Sequence, residues 1–262
     1  MKENLKLSII TPSYNQCQFI EQTIESVLNQ DYKNFEHIIV DGGSTDDTIE
    51  VLKKYKHLIW SSEKDKGQGN AINKGFAKST GQIFAWLNSD DYFEQNIFSL
   101  VTKYFEDHKD CDFLYGDITY VGKMNNNILQ INGEEITFEN LLSNPDLIRQ
   151  PSFFWRKNIF EDNGGLDESL DLVMDYDLFL KFTKHKKPGY INKNLSYYRY
   201  YDETKTKSKR RKQAVEIYKV MKRHAPKITL QMKKFLFKRY FGSFKLIAEL
   251  RKIQKSIHKS EK

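Results

Sequence analysis

The sequence predicts an α/β fold, a mostly parallel sheet with helices on both faces, followed by a basic helical extension. Three observations predict it. Over the first hundred residues the hydrophobic period switches repeatedly between strand and helix, and strict alternation implies parallel strands joined by right-handed crossovers. With 262 residues, 39% of them hydrophobic and 14% aromatic, the chain can bury a real core, which excludes global disorder. The charge is also divided. Residues 205–262 hold 20 Lys and Arg against 3 Asp and Glu, a net of +17, whereas residues 1–204 hold 22 against 32, a net of −10. The overall +7 describes neither part, and a separate basic tail implies contact with an anionic surface.

The elements follow in order. LKLSIIT (5–11) reads as a buried strand, and Phe19, Ile20, Ile24, Val27 and Leu28 then fall at helical spacing. FEHIIVD is a second strand, and TIEVLKKYK a second helix whose start at Ser44–Asp47 fits an acidic capping box. HLIWSSE and NAINKGFAKS form the third pair. QIFAWLNS is the fourth strand, with a helix over 95–107. After Cys111 the order changes to an antiparallel extension, CDFLYGDITYVG with NNILQI. A short helix (ITFENLLSN), a strand entering a helix (SFFWRKNIF), an amphipathic helix (MDYDLFLKFTKH) and an aromatic strand (GYINKNLSYYRYY) complete this half. From Lys205 the chain is basic and helical. The expected organisation is one α/β domain over 1–204, with halves at about 1–110 and 111–204, and a helical extension over 205–262.

Several classes are excluded. Cys17 and Cys111 are far apart, so neither a disulfide scaffold nor a zinc finger is expected, and a reducing cytosol is the default. No apolar run approaches the roughly 18–20 residues of a membrane-spanning helix, and the N-terminus lacks a signal-peptide pattern. The first strand ends in TPSYN rather than G-x-G-x-x-G, which argues against a dinucleotide enzyme.

In open α/β sheets ligands bind beyond the carboxyl ends of the strands, which here are TPSYN, DGGSTDD, SEKDKGQGN and NSDD. Asp41 reads equally as a turn residue before a helix cap and as an acid meeting a nucleobase or ribose. Asp90 and Asp91 end an apolar strand. One acid suffices for capping, and two adjacent carboxylates repel unless a cation sits there, so a divalent ion bridging to a diphosphate fits. Lys66 reads as a charge for that diphosphate or as a solvated loop lysine. Asp175 and Asp177 lie two apart on one helix and so point in different directions. Both suit a helix N-terminus. In the functional reading Asp175 is a general base and Asp177 a structural or acceptor-binding acid.

Together TPSYNQ, QDYKNFEHIIVDGGSTDDT, EKDKGQGNAINKG, LNSDD, GGLDESL and MDYDLFLKF resemble the family 2 glycosyltransferases over roughly residues 5–206. The resemblance implies the GT-A fold, a Rossmann-like sheet, and an inverting transfer from a nucleoside-diphosphate sugar, with a UDP-sugar as the expected donor. By motif, Thr11, Pro12 and Tyr14 pack around the base and Asp41 contacts it. Lys66, Asn88 and Asp90 bind the nucleotide sugar, and Asp90 with Asp91 holds Mg²⁺ or Mn²⁺. Asp175 deprotonates the acceptor hydroxyl. Three positions depart from the family pattern: Asn88 stands where a D-x-D motif has its first acid, Met174 precedes the base, and Tyr201 takes a histidine's place. A catalytically inactive donor- or glycan-binding homologue is the alternative these departures suggest.

The expected acceptor is a surface polysaccharide or lipid-linked glycan at the inner face of the cell membrane. In the segment 226–253 apolar residues recur at three- and four-residue spacing with lysines between them. Lys233, Lys234, Phe235, Lys238, Arg239 and Phe241 would form an interfacial face on an anionic membrane, making the protein cytoplasmic and peripheral. The competing reading packs that apolar face on the α/β domain. Nucleic acid, a third class suggested by the tail, is disfavoured because the acidic domain would repel a phosphate backbone.

Overall fold

The computed structural model describes residues 4–123, 126–201, 204 and 208–241. Four strands, β1 (Leu7–Ser13), β2 (Phe35–Asp41), β3 (Ile59–Ser62) and β4 (Ile83–Trp86), form a parallel half in the order β3-β2-β1-β4. Between them lie α1 (Ile20–Leu28), α2 (Thr48–Lys53) and α3 (Gln68–Lys78). Strand β1 continues through Ser13, two residues past the expected end, because Pro12 and Ser13 stay in register with Val40 and Asp41. That extension carries the chain to the rim of the sheet.

The second half is mixed. After β5 (Tyr92–Phe93) and α4 (Phe98–Asp107) come β6 (Phe113–Val121), β7 (Asn127–Ile131), α5 (Phe138–Ser143), β8 (Phe153–Arg156), α6 (Lys157–Asp162), α7 (Met174–Thr183) and β9 (Gly189–Arg199). The sheet runs on as β4-β8-β6-β9-β5, with β7 antiparallel on β6 as the sequence suggests. Strand β8 is antiparallel to both neighbours, whereas β9 runs parallel to β6.

Neighbouring strand residues point to opposite faces, and the core divides accordingly. Ile10, Phe84, Phe153 and Trp155 join one cluster, while Ile9, Ala85 and Phe154 join the other with Phe98 and Phe105. Helix α3 lies directly on β1. A Cβ on Gly75 would come 2.4 Å from Ile10 Cγ2, so only glycine fits this crossing.

The described part of the C-terminal segment, 208–241, is not separate in packing. Helix α8 (Arg210–His224) inserts Ile217, Val220 and Met221 into the cluster that holds Phe153 and Trp155, and Met232 of α9 (Leu230–Phe241) joins them. The 204/205 boundary is therefore a boundary of charge, not of core. Phe235 packs partly against that cluster and Arg239 pairs with Asp146, so these two face inward rather than toward a membrane. Lys233, Lys234, Lys238 and Phe241 are exposed. The rest of the expected tail, 242–262, lies outside the described residues, as do Asp202, Glu203 and residues 205–207.

Candidate active site

A crevice of about 850 Å³ opens at the carboxyl ends of β1 and β4 and runs toward α7 and β9. Pro12, Tyr14, Asp65, Gln68, Asn88, Asp90 and Asp175 all line it. The topology thus gathers side chains from the ends of β1, β3 and β4, as the strand-end rule expects, and adds the first turn of α7.

Not every expected residue reaches the crevice. Thr11 is buried beneath it, its Oγ1 2.9 Å from His37 Nε2. Asp41 is fully buried in its own turn. Its Oδ2 accepts from Gly43 N (3.0 Å), Ser44 N (2.8 Å) and Ser62 Oγ (2.7 Å), and its Oδ1 accepts from Ser44 Oγ. The carboxylate shapes the β2 loop, where Gly43 adopts φ 83°. Lys66 is exposed and outside the crevice wall, although Asp65 and Gly67 beside it are lining residues.

The NSDD loop shows why Asn88 stands where an acid was expected. Its Oδ1 accepts from Trp86 Nε1 and Gln68 Nε2, both at 2.8 Å, while its Nδ2 donates to Asp91 Oδ2 at 3.1 Å and Gln150 Oε1 at 3.3 Å. A carboxylate could not donate these last two bonds and would face the carboxyl of Asp91. Gln150 completes the bracket by donating to Trp86 O.

Asp90 and Asp91 do not act side by side. Asp90 faces the crevice and accepts from Tyr201 Oη at 3.1 Å. Asp91 is 1% exposed and takes Arg199 N at 2.9 Å on Oδ1. Burial, and then the charge of Asp90, push its carboxyl well above the usual carboxylate range. The expected metal pair thus reduces to Asp90, which can still serve. Magnesium-type ions bind through one or two carboxylates and complete their shell with substrate phosphate and water. Among the described residues no cluster of three or more His, Cys, Asp or Glu could hold a metal alone.

The two acids of α7 diverge as their spacing requires. Asp175 sits in the first helical turn, half-buried, with Oδ1 accepting from Tyr176 N at 2.9 Å. Burial pushes its carboxyl up to about 6. Asp177 turns the other way and is fully buried against α8. Arg223 Nη1 (2.9 Å) and His224 Nε2 (3.0 Å) meet its Oδ1, and Lys181 Nζ lies 2.9 Å from its Oδ2. Burial alone would raise this group, but bonds from His224 and Lys181 and the Arg223 charge hold it at about 2. Arg223 also pairs with Asp167, and Glu216 Oε2 accepts from Asp171 N and Leu172 N. Helix α8 therefore braces the loop that delivers Asp175, and its Gln213 and Ile217 line the crevice themselves.

Sequence reasoning missed these α8 residues, Gln150, Arg149, and the tyrosines Tyr120, Tyr198 and Tyr200. The period-2 pattern of the last strand placed Tyr198 and Tyr200 on one face, which is the signal that could have found them.

The family model described as Glycosyl transferase family 2 matches residues 8–164. An uncharacterized glycosyltransferase of Rickettsia bellii is 39% identical over 118 residues, 44% of this chain and 17% of that protein. The first curated relatives are longer, and the chain spans between 17% and 61% of their lengths. Among solved structures, S. aureus TarS 1–349 in complex with UDP-GlcNAc superposes with a TM-score of 0.69 at 21% identity, covering 90% of this chain and 73% of that one. The mannosyltransferase PcManGT of Pyrobaculum calidifontis, in complex with GDP-Man and Mn²⁺, gives 0.60 at 16% identity, covering 90% and 69%. These likenesses show the GT-A fold.

Proposed function

Because the chain belongs to glycosyl transferase family 2, we propose that it transfers a sugar, with inversion, from a UDP-sugar to a hydroxyl of a glycan or lipid-linked glycan. The observation that carries this reading is Asp175: a half-buried carboxyl with a raised pKa, opening into the same crevice as Asp90 and the strand ends. A general base works best when its pKa lies near the working pH, and a value of about 6 meets that condition. Asp175 takes the acceptor hydroxyl proton while that oxygen forms a bond to the anomeric carbon. The bond from that carbon to the diphosphate oxygen breaks on the opposite side, and UDP leaves. A single displacement inverts the centre and needs no carboxylate nucleophile.

Asp90 would hold a Mg²⁺ or Mn²⁺ ion, which when bound neutralises charge on the departing diphosphate. Tyr201 Oη donates to the Asp90 carboxylate and helps to orient it. Tyr14 and Pro12 serve as the base-side wall, with Thr11 and Asp41 supporting from below rather than touching the nucleotide. The braced helix α7 keeps the base in place, because Asp177 is held by three cationic or potentially cationic side chains.

The outward lysines of α9 suit an anionic membrane face, which would put the reaction at the inner surface of the cell membrane. Among the described residues no helix is long and apolar enough to cross a membrane.

The test is nucleoside diphosphate release from UDP-glucose, UDP-GlcNAc, UDP-glucuronate and GDP-mannose, with and without Mn²⁺. Release from at least one UDP-sugar, stimulated by Mn²⁺, is the expected result. Binding of UDP with no release from any donor would establish the inactive-homologue alternative instead.

A further inference from the structure

The crevice extends past the space between Asp90 and Asp175 to a second wall that the donor reading leaves unused. Tyr120 of β6 pairs in register with Tyr198 of β9, and Tyr200 follows two residues on. The rings form one cluster: Tyr120 lies 5.2 Å from Tyr198 and 6.3 Å from Tyr200, and the latter pair is nearly stacked at 21°. Tyr200 remains 37% exposed, so ring surface faces the opening. Aromatic faces beside polar groups are what a saccharide ring with its apolar C–H side packs against.

A charge stands beside these rings. Arg149 lines the same wall, and among the described residues no carboxylate pairs with it. Its Nη1 reaches only Ile148 O at 3.4 Å, and its Nε is shielded from water with no hydrogen-bond partner. Arg239, on the same wall, is already matched by Asp146. Tyr120, Arg149 and Arg239 line the same crevice. Burial pushes the Tyr120 phenol up, the Arg149 charge lowers it, Asp91 and Tyr200 raise it, and Arg239 lowers it more weakly. The Arg149 side chain is half-buried and lines the crevice without a carboxylate partner among the described residues, so its guanidinium can offer charge-assisted N–H bonds to a ligand oxyanion there.

We infer that Arg149, with Tyr120, Tyr198 and Tyr200, forms an acceptor subsite for a saccharide bearing an anionic group, a uronate carboxylate or a sugar phosphate. The inference rests on the glycosyl-transfer reading of the crevice and adds the acceptor's chemistry to it. The rings hold the sugar face, the arginine holds the anion, and the acceptor hydroxyl is directed toward Asp175.

The experiment titrates the full chain with methyl β-glucuronide, glucose 6-phosphate and neutral methyl β-glucoside, each with and without saturating UDP. With UDP in place the diphosphate region is occupied, so remaining anion binding reports the second wall. One or both anionic probes are expected to bind about tenfold tighter than the neutral one, the worth of one charge-assisted hydrogen bond. Which of the two binds tighter distinguishes carboxylate from phosphate. Arg149→Gln should erase the preference, Arg149→Lys should keep part of it, and Tyr200→Ala should weaken charged and neutral probes alike. Equal affinity for charged and neutral probes overturns the inference, as does binding of none. A loss of UDP affinity in Arg149→Gln matching its loss of anion affinity also overturns it, by assigning the arginine to the donor. Failure of the transfer reading itself would appear separately, as absence of UDP binding.

Discussion

Asp175→Asn should sharply slow catalysis and stabilise the fold. In the folded protein burial raises this carboxyl from an ordinary 3.8 to about 6. The sign follows from proton binding. Between about pH 4 and 6 the folded chain keeps a proton that the unfolded chain has lost, so stability falls as pH rises through that window. Above about pH 6 the cost is fully present, and below about pH 4 it is absent. About two pKa units correspond to about 3 kcal/mol, and partial access of the side chain to water reduces this to about 2 kcal/mol. Asparagine carries no charge, and its Oδ1 can keep the bond from Tyr176 N. For a chain of this size the gain amounts to an increase in Tm of about 4–8 °C at pH 7.5. It should shrink to about a third at pH 4.5 and fade toward pH 4. Thermal melts across this range give the stability, and nucleoside diphosphate release should fall about 10²–10⁴-fold. A variant that melts at or below the wild type at pH 7.5, or gains as much at pH 4.5, would refute the claim that burial raises the Asp175 carboxyl.

Two further outcomes concern the elements around the site. Asp177→Ala removes the shared partner of Lys181, Arg223 and His224 and should cost about 3–5 kcal/mol in urea unfolding at pH 7. Because the Asp177 carboxyl is held at about 2, its contribution is complete above about pH 4, so the difference between the two proteins should diminish as pH falls from 4 toward 2. Replacing Lys233, Lys234 and Lys238 together by Glu should weaken sedimentation with phosphatidylserine-containing vesicles at low salt, by about 1 kcal/mol for each positive charge removed. Unchanged sedimentation would remove α9 from the membrane reading.

The general architecture was legible because it depends on local pattern. The switch between periods 2 and 3.6 locates β1 to β4 and their helices without knowledge of any contact, and the strand-end rule then gathers Tyr14, Asp65, Asn88 and Asp90 at one rim. The same reasoning separated Asp175 from Asp177, since two residues apart on a helix cannot face one way. It could not say what each would face. For Asp177 the answer comes from residues 46 and 47 positions later in the chain, on a helix whose basic composition alone suggested a detached tail.

By itself, then, the sequence determined the α/β order, the crevice, and a short roster of acids able to work in it. The tertiary structure decided which of those acids face the crevice. Asp90 and Asp91 are adjacent and chemically identical, yet one meets the crevice and the other is covered by the backbone of Arg199, 108 residues away. Asp41, equally plausible as a ligand residue, is consumed by its own turn and by Ser62 of β3, and α8 is drawn into the core by Ile217, Val220 and Met221. Periodicity reports the face on which a residue lies. Whether that face meets water, a ligand or another element depends on distant parts of the chain, and burial at those contacts sets the charge of each acid.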